Sequence, residues 1–322
     1  MTFKQYLYYL FVIMKWHKGL FHDIENNLKE QYYTNKEVLV PPRKSVIFMV
    51  DGRSIHGGLA DRIRGICSVY ALCIKNNWDF KIYFNYPFPL TDYLIPNKYN
   101  WEISSDKIIY NNKLCAPVLL NSYQLPTIFH NIYLQKEMIG KKQLHVYSES
   151  PWAEEQFSNI FNILFRPSEK LQKDIDKILN QIGFDYVSAT FRFQQLLGDF
   201  KEGNYPTLSK SEQEILINEC IKQLYRLHQQ QPQYKILVTA DSSTFLNKIS
   251  SFDFLYIIPG NVVHMDYTNN ATFNVYEKSF LDYFLIANAQ KVHLFYNEKM
   301  YKSGFAKQAA KIYNRPYHEI KF

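Results

Sequence analysis

SVIFMVDGRSIHGGLADRIRGICSVYALCIKNNWDFKIYF (Ser45–Phe84) is the stretch that decides the fold. Ser45–Val50 (SVIFMV) is almost wholly apolar and reads as a short buried strand. Asp51–Gly58 (DGRSIHGG) is a loop. From Leu59 to Asn76, apolar residues recur at Ile63, Ile66, Val69, Tyr70 and Cys73, the spacing of one helix face. Phe80–Phe84 (FKIYF) alternates as a strand does. Strand, glycine loop, helix and strand make one β-α-β unit.

Outward from this unit, residues 85–150 read as short strands and turns. Trp152–Phe165 and Ser168–Ile182 read as helices, broken at Pro167, where a helix loses a backbone donor. The second half alternates regularly. Strands are expected at Tyr186–Arg192, Lys235–Thr239, Phe254–Ile258 and Lys291–Phe295, and Tyr317–Ile320 closes the domain. Helices are expected at Glu212–Gln229, Ser243–Lys248, Tyr276–Ala289 and Tyr301–Asn314. Such alternation implies a parallel sheet wrapped by helices on both faces. The expected division is a helical segment at 1–44, an α/β domain at 45–165 and a Rossmann-like domain at 166–322.

Composition sets bounds on function. A chain of 322 residues with 47% hydrophobic content is long and apolar enough for two packed domains. The net charge of +7 suits anionic ligands or acidic membrane surfaces, but the basic residues are dispersed, and no nucleic-acid module is present. The four cysteines form no CxxC pair and no His/Cys array, which argues against structural zinc and for reduced thiols in a cytoplasmic protein. Tyr6–Met14 is too short to span a bilayer, which takes about 20 apolar residues. It reads as a surface-packed helix; the alternative is peripheral contact with the inner membrane through residues 1–20.

Parallel sheets bind ligands beyond the carboxyl ends of their strands, and four segments follow that rule. Gly57-Gly58 opens a helix whose first turn carries Asp61 and Arg62 as a charged pair facing the same region; the paired glycines allow close backbone approach. This is not a Walker A loop, since no Gly-Lys-Ser/Thr follows. Arg192 ends an apolar strand and needs a partner or an anion; a guanidinium fork suits a diphosphate. An ion pair with Asp199 or Asp241 is the structural alternative. Asp241 ends the next strand, where it would hold a ribose or cap a helix. Ser303-Gly304-Phe305 stands at a helix start, a ready anion site. Asp282 sits inside an apolar helix and requires a partner. Asp174 and Asp176 resemble a metal-binding pair, but mid-helix their carboxylates diverge by about 200°.

In their order along the chain, these elements resemble the α1,2-, α1,6- and protein-O-fucosyltransferase group, with its nodulation-factor relatives. Gly57-Gly58-Leu59-Ala60-Asp61-Arg62 resembles the group's glycine loop. Thr190-Phe191-Arg192 with Gly198-Asp199 resembles its first motif, Thr239-Ala240-Asp241 its Thr-Asp-Asp element, and Asp282 and Ser303-Gly304-Phe305 its second and third motifs. Thr190 stands where the group has His, Phe193–Leu197 intervenes before Gly198-Asp199, and a single acid follows Thr239. The resemblance covers roughly residues 45–320.

The resemblance implies an α/β, GT-B-like fold: two Rossmann-like domains facing a central cleft, acceptor side first and nucleotide-sugar side second. It implies an inverting, metal-independent enzyme with no cofactor and GDP-fucose as donor. It places Arg192 at the β-phosphate, Ser303, Gly304 and Phe305 at the diphosphate, Asp282 at guanine and Asp241 near the nucleoside. The acceptor would be a surface glycan or lipid-linked oligosaccharide. The departing diphosphate gains negative charge, which Arg192 and the helix start at Ser303 are placed to neutralise. Asp61, Asp199 and Glu202 are the candidate bases, with His56 as another, although a lone loop histidine is more often just solvated. The competing readings are a transferase using another nucleotide sugar and a non-catalytic glycan- or nucleotide-binding protein on the same fold. A sulfotransferase would require a Lys/Ser-rich phosphate loop, which is missing.

Overall fold

The computed structural model describes Leu7 and residues 20–32, 42–54, 56–120, 127–149, 154–199, 205–260, 263, 265 and 273–322. The apolar run Tyr6–Met14, apart from Leu7, and Glu202 lie outside these. No helix of the described residues is long and apolar enough to cross a membrane. The chain divides into two compact units, Met1–Leu90 with Pro96–Arg166, and Thr91–Ile95 with Pro167–Phe322.

In the first unit, β1 (Ser45–Val50), β2 (Asp79–Phe84), β3 (Cys115–Leu120) and β4 (Gln143–Ser148) form a parallel sheet of order β2-β1-β4-β3. Every residue of β1 and β3 is buried, the pattern of strands covered on both faces. Helix α1 (Leu20–Glu30) buries Leu28 with Ile47, Met49 and Tyr147. Helix α2 (Leu59–Asn76) follows the glycine loop. The region 85–150, expected to hold only short strands and turns, instead contributes β3, α3 (Thr127–Glu137) and β4. Pro117, which lacks an N–H, is tolerated because β3 lies on the sheet edge. The predicted helix Trp152–Phe165 is observed as α4 (Phe157–Leu164).

The second unit opens with α5 (Glu169–Ile182), capped by the Ser168 hydroxyl, which accepts from the Leu171 amide. It continues as β5 (Tyr186–Phe191), α6 (Lys210–Gln230), β6 (Lys235–Ala240), α7 (Ser243–Ile249), β7 (Leu255–Ile257), α8 (Phe273–Asn288), β8 (Val292–Tyr296), α9 (Phe305–Ile312) and β9 (Tyr317–Lys321). Ser209 and Glu212 form a reciprocal capping box at the start of α6. The sheet is parallel with order β9-β8-β5-β6-β7, so successive connections run one way from β5 to β7 and then cross to β8. The reversal falls between β5 and β8, the place where open parallel sheets receive ligands. In the first unit it falls between β1 and β4. Val187, Phe191, Leu224, Ile236 and Phe245 fill the core of the second unit, each such side chain contributing about 1.5–3 kcal/mol.

One contact fixes α2 on its sheet. A Cβ at Gly65 would lie 2.1 Å from the Ser148 carbonyl oxygen at the end of β4. Gly65→Ala is therefore expected to cost at least about 3 kcal/mol, the upper range for overpacking, read as a lowered urea midpoint. Gly58→Ala, whose Cβ would meet nothing closer than Asp61 Oδ2 at 3.8 Å, is expected to cost less than about 1 kcal/mol.

Candidate functional site

Each unit places candidate residues at strand exits beside its point of sheet reversal: Gly57 and Gly58 after β1, Arg192 after β5 and Ser303 after β8. In the second unit, the β5–β6 register pairs Phe191 with Ala240, which sets the next residues, Arg192 and Asp241, side by side. Asp241 Oδ1 accepts from the Phe193 amide and Oδ2 from the Gln194 amide, both at 2.7 Å. Oδ2 also lies 3.2 Å from Arg192 Nε. Gln194 adopts φ 52°, and this left-handed turn lets two successive amides meet one carboxylate. The Asp241 side chain is 2% exposed and that of Arg192 18%. Burial raises the pKa of Asp241 against the opposing pull of Arg192 and the two amides. The ion pair thus forms with Asp241, not Asp199.

Asp199 ties the same loop in the opposite direction. Its Oδ2 accepts from the Ser242 hydroxyl at 2.9 Å, the Ser243 hydroxyl at 3.1 Å and the Thr244 amide at 2.6 Å, at the start of α7. Burial opposes its ionisation, but these donors outweigh it and its pKa is lowered. Thr190, one residue before Phe191, shares a 2.8 Å hydrogen bond with Thr239 on β6.

The segment after β8 meets Arg192 directly: the Tyr301 amide donates to the Arg192 carbonyl at 3.2 Å. It ends in Ser303, whose hydroxyl accepts from the Phe305 amide at 3.2 Å, and in Gly304, the exposed N-cap of α9. A Cβ at Gly304 would meet nothing within 4 Å, so the helix mouth is open there. The predicted helix Tyr301–Asn314 is accordingly shorter, because residues 301–304 approach α9 as non-helical chain. The chain leading to this helix mouth is thus joined to the strand exit that carries Arg192.

Asp282 finds its partner within its own helix: Lys278 hydrogen-bonds Asp282 Oδ1, one turn earlier in α8. The two side chains are 2% and 5% exposed. Burial raises the Asp282 pKa, and Lys278 opposes that shift. Removing one member of such a pair costs about 3–5 kcal/mol.

In the first unit, Gly57 takes φ +71° and Gly58 is the N-cap of α2. A Cβ at Gly57 would sit 3.1 Å from Asp61 Cβ and 3.2 Å from Glu149 Oε2. Asp61 and Arg62, expected to face one region, diverge. Asp61 pairs with Arg64 at 2.7 Å and is 41% exposed. Arg62 is 0% exposed. It donates from Nε to the Gly57 carbonyl and from Nη1 to the Tyr86 carbonyl, both at 2.9 Å. The cation thus fixes the shape of the glycine turn from within. Arg64 also donates to the Glu149 carbonyl at 3.0 Å.

Lys278 was open to detection from its i, i+4 spacing to Asp282. Glu149 had no such signal, since only the pairing of β1 with β4 brings it to the glycine turn. Among the described residues no group of three His, Cys, Asp or Glu is arranged to hold a metal ion. Asp174 lies within α5, and Asp176 there accepts from Gln172 at 2.8 Å.

No protein-family model matches the sequence, and no curated protein does. Solved structures match in fold. The α-1,6-fucosyltransferase NodZ co-crystallised with GDP gives a TM-score of 0.54 at 14% identity, over 84% of this chain and 92% of that one. NodZ from Bradyrhizobium gives 0.53 at 14% identity with the same coverage. A variant of Arabidopsis thaliana FUT1 in complex with GDP gives 0.51 at 12% identity, over 96% of this chain and 78% of that one. The chain has the GT-B-like, two-unit α/β fold of these fucosyltransferases.

Proposed function

We propose that the chain is a glycosyltransferase that moves fucose from GDP-fucose to a hydroxyl of a surface glycan or glycolipid precursor, with inversion and without a metal ion. One observation carries this reading: the Tyr301–Arg192 backbone bond joins a buried-edge arginine to an open helix mouth at the reversal point of a Rossmann-ordered sheet. A diphosphate is the ligand that both groups fit. The shared fold with NodZ and FUT1, whose structures hold GDP or GDP-fucose, agrees with it.

In the proposed reaction the acceptor hydroxyl attacks the anomeric carbon in line with the departing GDP. Arg192, oriented by Asp241, takes up charge on the β-phosphate. The Ser303 and Gly304 amides and the α9 dipole do the same on the diphosphate. Asp199, with its three donors and lowered pKa, is assigned to holding the loop and not to base catalysis. Asp61, partly exposed at the glycine turn, is assigned as the base. Gly57 and Gly58 give the acceptor close approach to the backbone. Arg62 is assigned to shaping that turn. A second reading, transfer from another nucleotide sugar, is favoured by one observation: Lys278 already occupies the Asp282 carboxylate that guanine would need.

Calorimetric titration of GDP, UDP and CDP tests the donor. GDP is expected to bind, and Arg192→Ala to weaken it about ten- to a hundred-fold, the loss of charge-assisted hydrogen bonds. Binding of UDP with none of GDP would remove the fucose reading; GDP binding indifferent to Arg192→Ala would remove the site.

Asp199→Ala separates holding from catalysis. Its destabilisation should be about 1 kcal/mol, as for loss of a helix cap, with transfer activity retained. The folded-state pKa of Asp199 is below the ordinary aspartate value of about 3.9. The cap's contribution is therefore complete above that value and lost as pH falls through the folded-state pKa. Urea midpoints of the two proteins should differ at pH 7 and converge in acid.

A further inference from the structure

The first unit holds three arginines around its sheet reversal, and they are used differently. Arg62 is wholly internal. Arg64 is bound to Asp61 and to the Glu149 carbonyl. Arg53 is different. Its Nε faces Asp51 Oδ2 at 3.5 Å, its side chain is 36% exposed, and its guanidinium lies 4.5 Å above the Tyr110 ring. Among the described residues, nothing hydrogen-bonds or ion-pairs with its two terminal nitrogens.

Arg53 is held from below by a built support. Asp51 follows β1 directly, and its side chain is 5% exposed. The Tyr147 hydroxyl donates to Asp51 Oδ2 at 3.0 Å, and the Arg53 amide donates to Oδ1 at 3.1 Å. Tyr147 stacks on His56 at 5.9 Å, and His56 Nε2 accepts the Gly52 amide at 3.2 Å. Burial, with Arg62 nearby, lowers the His56 pKa to about 3, so the ring stays neutral and can accept. Tyr110 is held edge-on by Tyr32 at 5.4 Å and by His145 at 5.3 Å. The Tyr32 hydroxyl hydrogen-bonds His145 Nδ1, and His145 Nε2 meets Gln143 Oε1 at 2.8 Å.

A free arginine side chain loses much rotamer freedom when it binds; this one is ordered in advance. With Nε turned to Asp51, the two terminal nitrogens of this half-buried guanidinium form a fork that matches the paired oxygens of a carboxylate or phosphate. We propose that Arg53 is an anion-binding residue on the acceptor side and that the acceptor carries a carboxylate or a phosphate. That the anion belongs to the acceptor rests on the transferase reading. That Arg53 binds a sugar-borne anion does not.

The test uses the whole protein with glucose, glucuronic acid and glucose 6-phosphate as probes, followed by saturation-transfer NMR, and with GDP titrated in parallel. At least one acid should bind about tenfold or more tightly than glucose. Arg53→Gln should abolish that preference, Arg53→Lys should restore it in part, and the exposed-charge control Lys113→Gln should leave it unchanged. GDP affinity should be the same in all four proteins. A preference confined to glucuronic acid assigns a sugar-acid acceptor, and one confined to glucose 6-phosphate a phosphorylated or lipid-phosphate acceptor. Equal binding of glucose and both acids, or a preference surviving in Arg53→Gln, overturns the proposal even where GDP binds well. Loss of GDP binding alone, with the Arg53-dependent preference intact, counts against the transferase reading and leaves this site standing.

Discussion

A buried carboxylate at a strand tip organises the second unit. Asp241 is almost completely removed from water, and its oxygens are met by two consecutive amides and a guanidinium. Without those donors an ionised group in that position would be strongly disfavoured. With them, the chain leaving β5 is bent into a left-handed turn at Gln194 and Arg192 is held at the carboxyl end of the central strand. Asp199 ties the same chain in the opposite direction, to the start of α7. The two carboxylates cross-link neighbouring strand exits in both directions, so the arginine is placed by backbone geometry and not by its own flexible stem.

The first unit solves the same problem with the charges exchanged. There a buried cation, Arg62, reaches back to two carbonyls and fixes the glycine turn, while a buried anion, Asp51, supports the exit of β1. In each unit the strand exits beside the reversal carry polar groups whose partners include backbone. Hydrogen bonds between ionised side chains and main chain are roughly twice as strong as neutral ones, which suits groups that must hold strand exits in place.

Much of this was legible in the sequence. The β-α-β unit of Ser45–Phe84 and the alternation from Tyr186 onward follow from apolar spacing, and the structure has them within a residue or two for most elements. The region before Gln143 was not, because Pro117 and the polar turns hide an edge strand and a helix of weak amphipathy. Adjacent charges were the second difficulty. Arg62 falls in register with Ile66 and Val69 on the inward face of α2, whereas Asp61 pairs outward with Arg64; a motif read as one charged pair contains two unrelated roles. Whether Arg192 would take Asp199 or Asp241 depended on strand register, which no local pattern encodes.

The close seating of α2 on the end of β4 has a mechanical consequence. With the Ser148 carbonyl lodged where any side chain at position 65 would stand, the helix is keyed to the strand like a shaft in a slot. Rotation about its axis or sliding along it would drive main chain into main chain. The glycine turn at the helix head therefore inherits its position from the sheet.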